Sequence, residues 1–189
     1  MQKTDLPNID SDTQEVNTKD SKGEDIEREN LDWKDDENMT MKICKFSDIP
    51  NLRDTHKFVR RNTGEELIAS DKEDTVFLVY DKRKDKLIGL AMISKGSPNK
   101  HFPDEKMAEF PYLYNFICDQ KYKKKKLSVA LLYAVKRYLK DMYKCITLDV
   151  ISGNERALKF FTRNLFVVVG EWTHPSKNKY KCLMYKYML

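Results

Sequence analysis

The sequence predicts a mixed α/β domain, a single sheet with helices packed on its faces. Three observations carry that expectation. From Met39 onward, strand-like and helix-like segments alternate in the order β-α-α-β-β-β-α-β-α-β-β, the pattern of a layered sheet-and-helix fold. Apolar residues recur at helical spacing over 127–140, and β-branched or aromatic residues crowd into 75–80 and 108–118. Hydrophobic residues make up 40% of the chain, with 10 Tyr, 9 Phe and 2 Trp, enough for a core despite a mean hydropathy of -0.70. At 189 residues the chain has room for one domain of ordinary size plus a tail.

Residues 1–38 are that tail. They hold 13 acidic and 5 basic residues, a local net charge of -8, and show no sustained helical or alternating period. Too little apolar surface is present to offset the entropy of ordering, so the segment is expected to be disordered, with Trp33 read as an incidental aromatic. Within the domain, 39–189, 40–46 reads as a strand and Ser47 or Asp48 as the cap of a helix over 49–61. Asn62-Thr63-Gly64 stops that helix, and a second helical stretch covers 65–70. Strands at 75–80 and 87–94 flank the polar turn 81–86, which predicts an antiparallel hairpin. Gly96, Pro98 and Pro103 make 95–106 a loop.

Residues 108–118 (AEFPYLYNFIC) read as one long strand in which Pro111 signals a bulge or an unpaired ladder position, and hence a free edge. Leu127, Ala130, Leu131, Ala134, Val135 and Leu139 define the clearest helix. A strand at 145–151, a turn at Gly153-Asn154, a helix at 155–164 and strands at 166–170 and 180–187 complete the domain.

Several function classes are excluded at this level. Cys44, Cys118, Cys145 and Cys182 are widely spaced and form no CxxC, and His56, His101 and His174 supply no paired ligand spacing, so reduced thiols and no metal are expected. No run approaches the roughly 20 apolar residues of a membrane span, and the first ten residues lack the pattern of a secretory leader. The expectation is a soluble intracellular protein without a membrane partner, cytoplasmic with the nucleus left open. No Gly-x-Ser-x-Gly suggests a hydrolase.

Beyond the tail, the chain carries 30 basic and 17 acidic residues, a net of +13. The densest run is Lys121-Tyr122-Lys123-Lys124-Lys125-Lys126, placed directly before the amphipathic helix. It reads as a solvated surface run, a nuclear-localisation-like signal, or a phosphate-binding turn at a helix N-terminus.

Three stretches together resemble the GCN5-related N-acetyltransferase superfamily. MKICKFSDIPNL at 41–52 looks like that family's opening strand and helix cap. Ile117-Cys118 followed by KYKKKKLSVALL at 121–132 is similar to its fourth strand, phosphate turn and long helix. Asn154 to Phe166 resembles its N-x-x-A-x-x-(apolar)-Tyr stretch ending in Gly-Phe. The resemblance covers about residues 39–189 and implies an acyl-CoA N-acyltransferase fold with a central, mostly antiparallel sheet and helices on both faces.

The resemblance further implies acetyl-CoA as co-substrate and a primary amine, on a protein or a small molecule, as acceptor. The cofactor-binding residues it implies are Ile117 and Cys118 on the strand edge, Lys123, Lys124, Lys125, Lys126, Leu127 and Ser128 in the turn, and Asn154 and Phe161. A turn feeding a helix offers unpaired N–H groups and the positive end of the helix dipole to the phosphates. The pantetheine arm would add to the free strand edge like another strand. Backbone N–H near Cys118 would then polarise the thioester carbonyl.

The chain also departs from the family pattern. Lys126 stands at the first glycine position of the turn, Phe161 where a tyrosine often protonates the departing thiolate, and Leu165 where the family has glycine. Phenylalanine has no proton to give, so Tyr112, Tyr114 and Glu109 are the candidate catalytic groups, with alternation placing both tyrosines on one face and Glu109 on the other. Asn154 serves either to cap the helix it precedes or to contact the cofactor. Two functions therefore stand against each other. One is direct transfer of acetyl from acetyl-CoA to an amine; the other is a non-catalytic module of this fold whose lysine turn contacts an acidic partner or, less favoured, nucleic acid.

Overall fold

A computed structural model of the chain describes residues 38–49, 51–52, 57–59, 71–97, 107, 109–174 and 181–189. The acidic tail up to residue 37, the helix over 65–70 and most of the loop at 95–106 lie outside them.

Seven strands form one sheet in the order β1-β2-β3-β4-β5-β7-β6. They are β1 Met39–Lys45, β2 Thr75–Asp81, β3 Lys86–Ser94, β4 Tyr112–Cys118, β5 Cys145–Ile151, β6 Val167–Thr173 and β7 Lys181–Met188. Every neighbouring pair is antiparallel except β4 and β5, which run parallel. Two α-helices are described in full, α1 Leu127–Leu139 and α2 Glu155–Arg163. Of the helix expected over 49–61, Leu52 and residues 57–59 are helical, preceded by a short 3-10 turn at Phe46–Asp48.

The sheet is apolar on both faces, as a sheet covered on both sides must be. On one face, Phe77, Val79, Ile88, Leu113, Ile146, Leu148 and Tyr185 pack against Leu127, Leu131 and Val135 of α1 and Phe161 of α2. On the other, Leu52 and Val59 close over Val76, Leu78, Leu87, Leu90 and Met92. Fully burying each such Leu, Val or Phe contributes about 1.5–3 kcal/mol. Gly89 on β3 lets α1 lie close, because a Cβ there would stand 3.3 Å from Val79 and 3.7 Å from Leu127.

Lys136 ties the two helices together. Its ammonium donates to the Asn164 carbonyl at the end of α2 (3.0 Å) and sits 3.4 Å from the centre of the Tyr187 ring. Burial there pushes its pKa down to about 8.

The expected long strand over 108–118 is corrected in two ways. Pro111 lies outside β4, ending in a carbonyl that accepts the Thr147 N–H (2.9 Å) and hydroxyl (3.3 Å). The bulge lies instead at Asn115, whose φ is 48°, where β4 gains one residue on β3 between the pairs Leu90↔Ile117 and Met92↔Tyr114. Asparagine tolerates this left-handed conformation because its short amide can bond locally, and here it donates to Met92 Sδ at 3.6 Å. At the other end of the sheet β6 runs three residues past Gly170, carrying Trp172 into the ladder opposite Cys182.

Candidate active site

The parallel strands β4 and β5 meet at a single pair, Tyr112↔Thr147, and diverge beyond it. The edge of β4 turned toward β5 therefore carries backbone N–H and C=O groups, past Tyr112, that β5 does not reach. The bulge at Asn115 sits within this diverging stretch and changes which side chains line it. Leu113 faces the helices, and after the extra residue Phe116 and Cys118 face them too, while Tyr114 and Ile117 turn to the opposite layer. One opening thus has two differently furnished sides.

The helix side is aromatic. Phe116 lies 5.6 Å from Phe160 and 5.8 Å from Phe161 between ring centres, and Phe161 continues to Phe166 at 5.3 Å. Phe161 is buried inside this cluster, as a phenyl ring with no polar handle should be. Burial pushes the Cys118 thiol up to about 12, opposed by the Arg156 guanidinium, so it stays neutral and is a poor nucleophile.

Beyond Cys118 the chain enters the basic turn, which Tyr122 and Asp119 tie to the ends of β2 and β3. The Tyr122 ring is buried, and its hydroxyl donates to the Asp81 carboxylate at the end of β2 and accepts from Lys84 at 3.2 Å. That hydrogen bond, with the Arg83 and Lys84 backbone N–H groups and the Lys84 charge, holds the Asp81 carboxyl below its ordinary pKa. Asp119 adds a second anchor, with Lys86 at 2.7 Å and the Lys121 N–H at 3.0 Å.

Between these anchors and α1, residues 120–125 form a 3-10 helix, so Lys123, Lys124 and Lys125 occupy one tight turn. Lys126 follows with φ 51°, the left-handed conformation that glycine adopts without cost. Its carbonyl accepts from Val129 and Ala130, which leaves the Leu127 and Ser128 N–H groups at the head of the helix with no carbonyl behind them in α1. Leu127 itself is buried and pins the helix start to the sheet.

The opposite side of the opening is polar. Tyr112 and Tyr114 stack with ring centres 6.1 Å apart, as alternation requires. The Tyr114 hydroxyl donates to Asp74, just before β2, so it reaches across β3 and away from β5. Burial raises the Asp74 pKa, and that hydrogen bond opposes the rise. Glu109 is corrected: it precedes β4, exposed, and alternation along the strand does not apply to it. The Asn154 side chain accepts from the Ala157 N–H at 3.1 Å, the capping alternative for this residue.

Two groups near the opening were not singled out from the sequence. Asp149 on β5 shares the polar face with Thr147 and receives the Trp172 indole N–H at 3.2 Å. A lone carboxylate in the apolar strand CITLDVI was the available signal. Arg156, in the first turn of α2, lies close enough to Cys118 to lower its pKa, which only the fold reveals. Among the described residues there is no cluster of three or more His, Cys, Asp or Glu able to hold a metal, and no helix long and apolar enough to cross a membrane.

Comparison with solved structures returns the same architecture. The chain is similar to Arabidopsis thaliana NAA60, solved with a bisubstrate analogue, at 15% identity and a TM-score of 0.57, over 79% of this chain and 98% of that one. It is similar to the Escherichia coli ribosomal-protein-S18-alanine N-acetyltransferase at 15% identity and a TM-score of 0.57, over 79% and 93%. A GNAT-family acetyltransferase from Streptococcus pneumoniae aligns at 14% identity with a TM-score of 0.57, over 80% and 99%. At such identities the likeness shows the fold alone. No curated protein matches the sequence. The family description "Acetyltransferase (GNAT) family" matches residues 32–165, most of the chain and all of the strand, turn and helix built above, and the protein belongs to that family.

Proposed function

We propose that this chain transfers an acetyl group from acetyl-CoA to a primary amine by direct attack, without an acyl-enzyme. Membership of an acetyltransferase family supports acyl transfer in general. The observation that carries the finer reading is the divergence of β4 from β5 after their one pair, which leaves a strand edge open beside the start of α1. An extended amide-bearing arm fits such an edge as an added strand. The N–H groups of Leu127 and Ser128 and the lysines 123–126 provide donors and positive charge for its phosphates. Lysine ammonium groups act there as point charges, taking the part that backbone approach at a glycine would otherwise play.

The chemistry asked of the chain is modest. The amine nitrogen forms its bond to the thioester carbonyl carbon and gives up a proton, the C–S bond breaks, and the thiolate takes a proton from solvent. A thiolate of pKa about 8–9 leaves without a strong acid beside it, which accommodates phenylalanine at position 161. A neutral Cys118 argues for direct attack over a covalent route. The acceptor approaches from the polar face of the opening, since the other face is filled with aromatic rings. The experiment is coenzyme A release from acetyl-CoA by the full chain in the presence of primary amines. Amine-dependent release, with mass spectrometry showing the acetylated amine, is expected; a folded protein that binds acetyl-CoA and acetylates no amine would overturn the reading.

A further inference from the structure

Among the described residues, the polar face of the opening carries a half-buried carboxylate, Asp149, in an otherwise apolar strand. Tyr112 and Thr147 close the junction between β4 and β5, and the next same-face residues on the two diverging strands are Tyr114 and Asp149. Tyr114 leans away toward Asp74, which leaves Asp149 as the acidic group on the β5 wall of the opening. Its orientation is set from two strands away in the same sheet: Trp172 pairs with Cys182 of β7, which pairs in turn with Ile151 of β5, and the indole N–H reaches Asp149 Oδ2 at 3.2 Å. His174, two residues on and on the same face, lies 5.3 Å from the Trp172 ring. Lys186 of β7, opposite Thr147, is the basic residue on this face of the adjoining strand.

We propose that Asp149 is the catalytic base, taking the proton from the attacking amine nitrogen, with Trp172 as its positioning residue. This assignment rests on the acetyl transfer proposed above. As the nitrogen bonds to the carbonyl carbon it gains positive charge and becomes strongly acidic, so a carboxylate beside it can accept its proton. The C–S bond then breaks, the thiolate is protonated by solvent, and Asp149 returns its proton to solvent. No further reactant is needed. The indole fixes one carboxylate oxygen, as a precise proton transfer requires. Because the leaving thiolate takes its proton from solvent, position 161, which lies among aromatic rings, is not asked to supply an acid.

The test uses the full chain and two probe amines, spermidine and a peptide with a free α-amino group, followed by coenzyme A release. Asp149→Asn, nearly isosteric, should lower kcat by about 100-fold or more, the usual contribution of a positioned base. Acetyl-CoA affinity by titration and the melting temperature should be unchanged. Asp149→Glu should restore part of the rate, Trp172→Phe should lower kcat several-fold with the melting temperature held, and His174→Gln should leave the rate near that of the unaltered chain. Full activity in Asp149→Asn, or a loss of rate in His174→Gln that matches it, overturns the assignment. An unaltered chain that binds acetyl-CoA and acetylates neither probe also overturns it. An unaltered chain that binds no acetyl-CoA defeats the transfer reading itself, a result distinguishable from the others by titration alone.

Discussion

The two sides of the β4–β5 opening are built from the same two strands and furnished in opposite ways. Toward the helices stand Phe116, Phe160, Phe161 and a neutral Cys118; toward the other layer stand Tyr112, Tyr114, Thr147 and Asp149. A strand that alternates strictly would have put Phe116 with the tyrosines. The extra residue at Asn115 moves it across, so one left-handed residue separates an aromatic side from a side lined by hydroxyls and a carboxylate. The lesson is a division of labour: cofactor affinity should depend on the turn and helix start, and proton chemistry on the polar face.

That division can be broken experimentally. The largest effect is expected at the turn, where replacing Lys124 and Lys126 together by Glu should weaken acetyl-CoA binding by about 100-fold or more, each charge-assisted contact being worth about 1.5–3 kcal/mol. The circular dichroism spectrum should not change, because Tyr122 and Asp119, which anchor the turn, are left in place. Unchanged affinity would remove the turn from the site.

A smaller effect is expected at Tyr114→Phe, which deprives the buried Asp74 carboxylate of a donor and should cost about 1–3 kcal/mol at pH 7 by denaturant titration, with acetyl-CoA affinity retained. Asp74 has a raised pKa in the folded chain, so the folded state binds its proton more tightly than the unfolded one. Its contribution to stability therefore improves as pH falls through the folded pKa toward the unfolded value, and the cost of Tyr114→Phe should shrink over the same interval. Asp81, whose pKa is lowered chiefly by Tyr122, runs the other way: its contribution is present above the unfolded pKa and is lost as pH falls through the folded one.

Phe161→Tyr tests the apolar side. Placing a hydroxyl among Phe116, Phe160 and Phe166 should lower stability by about 1–2 kcal/mol and leave the rate unimproved. A faster enzyme would show that the phenol reaches the thiolate after all. The smallest effect concerns Leu165, which holds a φ of 67° with its side chain exposed at the end of α2. Leu165→Gly should raise stability by about 1 kcal/mol, because a left-handed residue with a Cβ costs about 1–2 kcal/mol and glycine gives some of that back as unfolded-state entropy.

These positions also show what the sequence could and could not convey. The helix at Leu127–Leu139 and the strand at Cys145–Ile151 were legible because their apolar spacing is set by burial on a known period. The bulge was misplaced at Pro111 because proline is the louder breaker, whereas Asn115 bends the strand quietly through its left-handed backbone. Lys126 and Leu165, which the resemblance sets at glycine positions, have left-handed backbone angles of the kind glycine adopts without cost. Tyr122, the one aromatic in the lysine run, is a buried anchor of the turn, a role that depends on Asp81, 41 residues earlier. Asp149 gave only the signal of a lone carboxylate in an apolar strand, because its surroundings come from β4, which the sheet order places beside β5, and from Trp172 of β6, which reaches it across β7.

The most direct measurement is isothermal titration of acetyl-CoA into the full-length chain at moderate salt. Saturable one-to-one binding at micromolar concentrations, weakened by the double lysine-to-glutamate change, is the predicted result. A folded protein that takes up no acetyl-CoA would contradict the account and leave a GNAT fold without its cofactor.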